Sequence, residues 1–126
     1  VAALTELNQR LAAAGAAPVD MRRFRPNLVL DGVGAHDEDR FNAIYLADDR
    51  GSLVHLQPVK PCARCPIVNI DPLSAESSPA VNDQLQTYRQ DARVKGALTF
   101  GMNSITLAGV DQLLKVGQSV TGSYRF

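Results

Sequence analysis

A succession of short apolar runs, each ended by turn-forming residues, dominates the chain from Phe24 onward. The runs cover residues 28–30, 41–47, 53–56, 67–70, 98–102, 104–107 and 116–126. Runs of this length between Gly, Pro, Asp and Asn are typical of β-strands, whereas helices need about ten residues or more. The turn-like sequence Asp-Asp-Arg-Gly at residues 48–51 predicts a hairpin between the second and third runs. The pattern therefore predicts a mainly β domain, folded as a barrel or a bent sheet.

Two segments have helical patterns instead. Residues 5–14 place their leucines on one face, with Thr5 as the predicted N-cap and Gly15 as the predicted stop. Residues 82–90 predict a second, shorter helix. Residues 73–81 contain Ser, Ala and Pro without an apolar period, and they predict a loop.

The bulk properties of the chain narrow the choice of partners. Its 126 residues suffice for one domain with its own hydrophobic core. Thirteen basic and thirteen acidic residues cancel, and Trp is absent, so we expect no nucleic-acid partner. No apolar run approaches the roughly 18 residues of a membrane span, so we expect no membrane partner either.

The two cysteines are too few and too close together for a secreted disulfide framework. We therefore expect a reducing compartment, and the cytoplasm fits best. The chain begins with Val1 rather than methionine and continues directly into a helical pattern. We expect residues 1–126 to be a single domain that is a piece of a longer polypeptide.

The segment 60–66 concentrates most of the reactive chemistry of the chain. It reads Lys-Pro-Cys-Ala-Arg-Cys-Pro and holds both cysteines, Cys62 and Cys65. One interpretation makes a single thiolate the ligand of a soft metal that arrives within a cofactor, with Arg64 favouring the thiolate form. The alternative is that both thiols are buried and inert, because free cysteine is among the most buried residue types.

Two other uses of a Cys-x-x-Cys pair fit the sequence less well. A structural zinc site needs four ligands, and the only histidines, His36 and His55, lie upstream at unrelated spacing. A thioredoxin-like redox pair should open a helix within a βαβ unit, whereas Pro66 and a β-rich run follow here.

Several motifs, in a particular order, resemble one known family. They are Met-Arg-Arg-Phe-Arg-Pro-Asn-Leu-Val at residues 21–29, Glu38-Asp39, Val-Lys-Pro-Cys-Ala-Arg-Cys at residues 59–65, Asp71-Pro72, Tyr88-Arg89, Phe100-Gly101 and Lys-Val-Gly at residues 115–117. The series resembles the MOSC domain, named for the C-terminal domain of molybdenum cofactor sulfurases. It is most similar to the branch that contains the mitochondrial amidoxime-reducing component and its bacterial relatives. The resemblance covers roughly residues 4–121.

The resemblance implies a β-barrel-like fold with a few short helices and binding of the molybdenum cofactor. By this resemblance Cys65 is the molybdenum ligand, while Arg25 and Asn27 contact the cofactor. Asp71 would either face the open position of the metal, as a catalytic residue beside Cys65, or only cap a turn. The family often reads Asp-Pro-x-Thr-Gly at this point, whereas residues 71–75 read Asp-Pro-Leu-Ser-Ala.

The resemblance also implies function and partners. The chain would be the cofactor-binding C-terminal part of an oxidoreductase that reduces N-hydroxylated or N-oxide compounds. An upstream β domain of the same polypeptide would complete the pocket, and a separate protein with an iron–sulfur, flavin or haem group would deliver electrons. The alternative is a sulfur-carrier or cofactor-delivery domain in which Cys62 or Cys65 forms a persulfide. Pyridoxal phosphate is not expected on this chain alone, and a purely structural module is the third possibility.

Overall fold

A computed structural model describes residues 1–47 and 50–126. Two α-helices are present in these residues, α1 at Ala2–Ala13 and α2 at Ala80–Tyr88. Five strands are β1 at Phe41–Ala47, β2 at Leu53–Ala63, β3 at Gln90–Asp91, β4 at Ala97–Ala108 and β5 at Val120–Tyr124. Short 3₁₀-helices cover Met21–Phe24, Asp37–Arg40, Pro66–Asn69 and Ala92–Val94. None of the helices in this part of the chain is both long enough and apolar enough to cross a membrane.

The strands form one sheet in the order β3-β4-β2-β1-β5. β1 pairs antiparallel with β2 on one side and with β5 on the other, and β3 pairs antiparallel with β4. The predicted β-rich fold with a few short helices is therefore confirmed. In the described residues β3 and β5 form the two edges of the sheet, so the sheet is not closed. The predicted barrel-like fold therefore describes it only loosely.

The predicted hairpin is confirmed at the level of its strands. Ala47 pairs with Leu53 and Leu46 with Val54, so β1 and β2 run antiparallel from the point where they meet. Of the four residues predicted to form the turn, Asp48 and Asp49 lie outside the described residues.

Four details of the sequence prediction were wrong. Residues 80–81 were predicted as the end of a loop but form the start of α2. Residues 28–30 form no strand, and Leu28 and Val29 are exposed. Residues 67–70 were predicted as a strand but lie almost entirely in the 3₁₀-helix Pro66–Asn69, because proline at the first helical position presets a helical φ. α1 begins at Ala2 rather than after Thr5, since its alanine-rich first turn has high helix propensity.

The described residues group into two compact units. The first consists of Val1–His36 and Pro61–Gly101. Its core combines the apolar faces of both helices with side chains from the loops and from β4: Ala3, Leu7, Leu11, Phe24, Val68, Val81, Leu85 and Phe100. The predicted leucine stripe of the first helix is thus the face that packs in this core.

The second unit consists of Asp37–Lys60 and Met102–Phe126. Its buried apolar residues come mainly from β1, with two from β2: Phe41, Ala43, Ile44, Leu46, Val54 and Pro58. Every residue of β5 is exposed. Other large apolar side chains exposed in this unit are Leu53, Val59, Ile105, Leu107, Val110, Leu113, Val116 and Phe126.

Candidate functional site

The two cysteines lie in different surroundings within the first unit. Cys62 is half-buried near the C-terminal end of β2, whereas Cys65 is exposed two residues beyond the end of that strand. Cys65 is the residue that precedes the 3₁₀-helix Pro66–Asn69, and its carbonyl accepts a hydrogen bond from the N–H of Val68 at 3.4 Å. A thiol at this position is accessible to a ligand. The alternative in which both cysteines are buried and inert therefore does not hold for Cys65.

Within the described residues, the hydrogen bonds of Arg64, which lies between the cysteines, all go to backbone carbonyls, and its guanidinium also lies over the ring of Phe24, 5.6 Å from the centroid. Its Nε and Nη2 donate to the carbonyl of Phe100 at 2.9 and 2.6 Å, and its Nη1 donates to the carbonyl of Phe24 at 2.9 Å. Its backbone N–H donates to the carbonyl of Leu98 at 2.8 Å. Arg64 therefore joins its own segment to the backbone at residues 24, 98 and 100.

Arg25 and Asn27 lie in an exposed loop that follows the 3₁₀-helix Met21–Phe24. Arg25 adopts a left-handed backbone conformation, with φ 48° and ψ 51°, and its N–H donates to the carbonyl of Arg22 at 3.1 Å. A left-handed conformation costs a residue with a side chain about 1–2 kcal/mol. Within the described residues, neither the guanidinium of Arg25 nor the amide of Asn27 makes a side-chain hydrogen bond. Both groups therefore remain available to a ligand.

Arg23 connects the loop of Arg25 to the segment that follows Cys65. Its Nη1 donates to the carbonyl of Asn69 at 3.0 Å, and its Nη2 forms an ion pair with Asp71 at 3.2 Å. Its side chain is only 12% exposed, compared with 59% for Arg22, so one of the two neighbouring arginines is solvated and the other is largely covered. Both lie in the 3₁₀-helix Met21–Phe24. Sequence reasoning missed the bridging role of Arg23, because its partners lie more than 40 residues away.

Asp71 caps a turn. Its Oδ1 accepts hydrogen bonds from the N–H of Leu73 at 2.7 Å and the N–H of Ser74 at 3.2 Å, while Oδ2 faces Arg23. The backbone N–H groups of Leu73 and Ser74, followed by the guanidinium of Arg23, hold the pKa of the Asp71 carboxyl below its ordinary value. Both oxygens thus have partners within the chain. The assignment of Asp71 as a catalytic residue stays a prediction.

Phe24, Phe100, His36 and Tyr88 form an aromatic column beside Arg64. The rings of Phe24 and Phe100 stack with centroids 3.9 Å apart and an interplanar angle of 12°. His36 packs edge-on against Phe100 at 5.4 Å and against Tyr88 at 5.8 Å. Burial, and then the nearby Glu6 carboxylate, raise the pKa of Tyr88 to about 12, so this phenol stays neutral at physiological pH. The column fixes the two phenylalanines whose carbonyls bind Arg64.

Two reciprocal bridges bring the predicted site segments together. Arg64, the neighbour of Cys65, binds the carbonyl of the residue before Arg25, and Arg23 binds the segment that ends at Asp71. Asn27 lies on the same loop as Arg25.

This donor set suits a metal that brings most of its own ligands. The described residues contain no group of three or more His, Cys, Asp or Glu side chains that could hold a metal ion. A single exposed thiol can supply one soft ligand, and an unpaired guanidinium can bind phosphate or another anionic group. An amide such as that of Asn27 can pair with the donors and acceptors of a heterocycle. A metal that arrives within an anionic organic cofactor therefore fits these residues.

Comparison with known proteins agrees with this chemistry. A family model described as the MOSC domain matches residues 1–121. Mitochondrial amidoxime-reducing component 1 of Mus musculus is 34% identical over 91 residues, which are 70% of this chain and 24% of the relative. The protein of the same name from Homo sapiens is 32% identical over 71% of this chain and 24% of the relative. Molybdenum cofactor sulfurase of Arabidopsis thaliana is 34% identical over 63% of this chain and 9% of the relative. The chain thus spans about a quarter or less of the length of these relatives.

Proposed function

Because the chain belongs to the MOSC domain family, we propose that it binds the molybdenum cofactor as the C-terminal part of a larger oxidoreductase. Its substrates would be N-hydroxylated or N-oxide compounds. The observation that carries this proposal is the exposed thiol of Cys65, which directly follows Arg64. Arg64 in turn binds the carbonyl of Phe24, the residue before Arg25, whose guanidinium makes no hydrogen bond within the described residues. The names of the mouse and human relatives, both amidoxime-reducing components, support the substrate class.

Each site residue has one task in this proposal. The thiolate of Cys65 would be the protein ligand to molybdenum, Arg25 would bind the phosphate or the anionic pterin edge, and Asn27 would pair with the pterin ring. The cofactor would supply the redox change and accept the oxygen atom of the substrate. Arg23 and Arg64 would keep the loop of Arg25 and the segment of Cys65 in a fixed relation.

Asp71 would act beside the metal mainly as an organising residue. Its carboxylate shapes the turn of residues 71–75 through Leu73 and Ser74 and anchors Arg23. In this chain the turn has Ala75 at φ 61°, where the family often has a glycine, so the backbone keeps a left-handed position without that glycine. A proton-transfer role for Asp71 would require one of these bonds to open.

The proposal includes partners and a location. An upstream β domain of the same polypeptide would complete the pocket, and a separate protein with an iron–sulfur, flavin or haem group would deliver electrons. The small share of each relative that this chain spans supports a larger polypeptide. A cytoplasmic location is part of the proposal, whereas the mouse and human relatives carry mitochondrial names.

Metal analysis of the full-length protein tests the proposal. We expect about one molybdenum per chain in the wild type, because one thiolate anchors one cofactor. Cys65→Ser should remove it, since a hydroxyl is a poor ligand for a soft metal. Cys62→Ser is the matched control, because this half-buried thiol lies three residues away in β2, and its molybdenum content should match the wild type. Equal molybdenum in Cys65→Ser and wild type would rule out the assignment.

A second candidate function has its own support. Two plant relatives are molybdenum cofactor sulfurases, and an exposed thiol is suited to carry sulfur. In this case the thiolate of Cys65 would take the terminal sulfur atom from a desulfurase persulfide, and the desulfurase thiolate would leave. Mass spectrometry after incubation with a cysteine desulfurase and cysteine should then show the mass of one added sulfur atom on Cys65. An unchanged mass would exclude the carrier role.

A further inference from the structure

We propose that Arg64 is the positioning residue of the candidate site, which fixes the thiol of Cys65 and the guanidinium of Arg25 relative to each other before a ligand binds. The inference rests on the proposed function, because it assigns a task in holding the molybdenum cofactor. It differs from an electrostatic role of Arg64 on the thiols, since it rests on the bonds that Nε, Nη1 and Nη2 donate to backbone carbonyls.

The first step of the argument is the geometry of the guanidinium fork. Its three hydrogen bonds, at 2.6 to 2.9 Å, reach two carbonyls that belong to residues 24 and 100. The backbone N–H of Arg64 adds a fourth bond, to Leu98 at 2.8 Å. The residue before Cys65 is therefore fixed at both its main chain and its side chain. Because the next residue is Cys65, the start of the thiol-bearing segment has little freedom.

The second step concerns Arg25. The carbonyl of Phe24 belongs to the peptide unit that leads into Arg25, and Arg64 Nη1 holds that carbonyl at 2.9 Å. The N–H of the same peptide unit donates to Arg22 at 3.1 Å, so both of its polar groups are occupied. Arg25 keeps φ at 48°, a conformation that a side chain disfavours. Uncommon backbone conformations persist where surrounding bonds over-determine them, and they cluster at ligand sites.

The third step explains why lysine cannot take over the role of Arg64. Lysine has one nitrogen on a flexible stem, whereas the planar fork of arginine reaches two acceptors from fixed directions. Arg64→Lys keeps the charge and most of the volume, but it can bind only one of the two carbonyls well. It therefore separates the positioning role from charge and from bulk. Arg22→Lys is the matched control, because Arg22 is exposed and its recorded side-chain bonds go to Asp20.

The test measures molybdenum per chain and the number of sulfur neighbours of molybdenum by X-ray absorption in the full-length protein. Residues that orient metal ligands typically change metal retention by about 10- to 100-fold, so we expect Arg64→Lys to lose about tenfold or more. The molybdenum that remains should show one sulfur neighbour fewer, since Cys65 no longer meets the cofactor held at Arg25. Hydrogen exchange of the peptide 21–27 should accelerate in Arg64→Lys and stay unchanged in Arg22→Lys.

The outcomes separate this inference from the proposed function. If wild type holds molybdenum and Arg64→Lys holds the same amount with the same sulfur count, the positioning role is wrong and the proposed function stands. If wild type itself holds no molybdenum, the proposed function is wrong and this inference falls with it. A folded Arg64→Lys protein with lower molybdenum and faster exchange only at residues 21–27 supports the inference. Lower molybdenum with a general loss of protection in the thermal and exchange data would make Arg64 merely structural and overturn it.

Discussion

At the scale of single residues, Arg23 and Arg64 act in opposite directions across the candidate site. The side chain of Arg23 donates to the backbone carbonyl of Asn69, in the segment that follows Cys65. The side chain of Arg64 donates to the backbone carbonyl of Phe24, which precedes Arg25. Arginine suits this task because its fork offers several donors in fixed directions and is always charged. Side chains that bridge distant segments are invisible to local patterns. The motifs pointed to Cys65 and Arg25, whereas the role of Arg23 depends on a contact with Asp71, which lies 48 residues away.

A pH dependence of stability follows from Asp71. Its pKa lies below the ordinary 3.8, first because Leu73 and Ser74 donate to it and then because of Arg23. A carboxyl whose pKa falls on folding stabilises the fold above its unfolded pKa, and this contribution is lost as the pH falls through the lowered value. Wild type should therefore unfold at higher urea than Asp71→Asn near about pH 7, and the difference should shrink below about pH 4.

Urea denaturation of both proteins over this pH range measures the effect. Asp111→Asn is the control, since it removes a carboxylate from an exposed residue of the second unit. A difference between wild type and Asp71→Asn that stays constant down to the lowest pH would contradict the assignment of Asp71 as a charged cap.

At the scale of elements, the apolar runs that pair with another strand were predicted correctly. An apolar run without such a partner was predicted as a strand and is not one. Phe41–Ala47 was predicted with its observed bounds, and residues 98–102 and 104–107 merge into the single strand β4. Residues 28–30 look like a strand but pair with none in the described structure. Pairing decides whether an apolar run becomes a strand, and it depends on residues far along the chain.

Gly109, which directly follows β4, gives a prediction at this scale. A Cβ there would lie 2.8 Å from the carbonyl oxygen of Leu53 and from two carbon atoms of Val54, and φ is +81°. Gly109→Ala should therefore cost the left-handed strain of about 1–3 kcal/mol plus a clash of about 1–3 kcal/mol. Gly117→Ala has a similar φ, +90°, with nothing within 4 Å, so it should show the strain alone.

The difference in the free energy of unfolding between these two variants, measured with urea, isolates the close approach of the backbone at Gly109. Equal values for the two variants would mean that the end of β4 does not lie against Leu53 and Val54.

At the scale of the whole molecule, each of the two units is built from separated stretches of chain. The first combines Val1–His36 with Pro61–Gly101, and the second combines Asp37–Lys60 with Met102–Phe126. The single domain predicted from the sequence stays a prediction. Composition and length carry no information about which distant stretches of the chain meet. Both units expose some large apolar side chains, and the second has more of them than the first.

Self-association is expected of the 126-residue chain on its own. Its formal net charge is zero at pH 7, and exposed apolar side chains attract when no net charge keeps molecules apart. Sedimentation should show association at about pH 7. The association should weaken at about pH 9, where the net charge of the chain is negative. Val116→Lys should reduce it more than Gln112→Lys, which adds the same charge without removing an exposed apolar group. Equal effects of the two variants would attribute association to charge alone.

The pairing of the two helices has a consequence for protein synthesis. Leu7 and Leu11 of α1 are fully buried together with Val81 and Leu85 of α2. A ribosome makes α1 first, and at about 5–20 residues per second α2 follows on the order of several seconds later. During that interval the leucine face of the nascent helix lacks its partners from α2. A nascent-chain chaperone that binds short apolar helices should therefore engage residues 2–13 until Leu85 has left the exit tunnel.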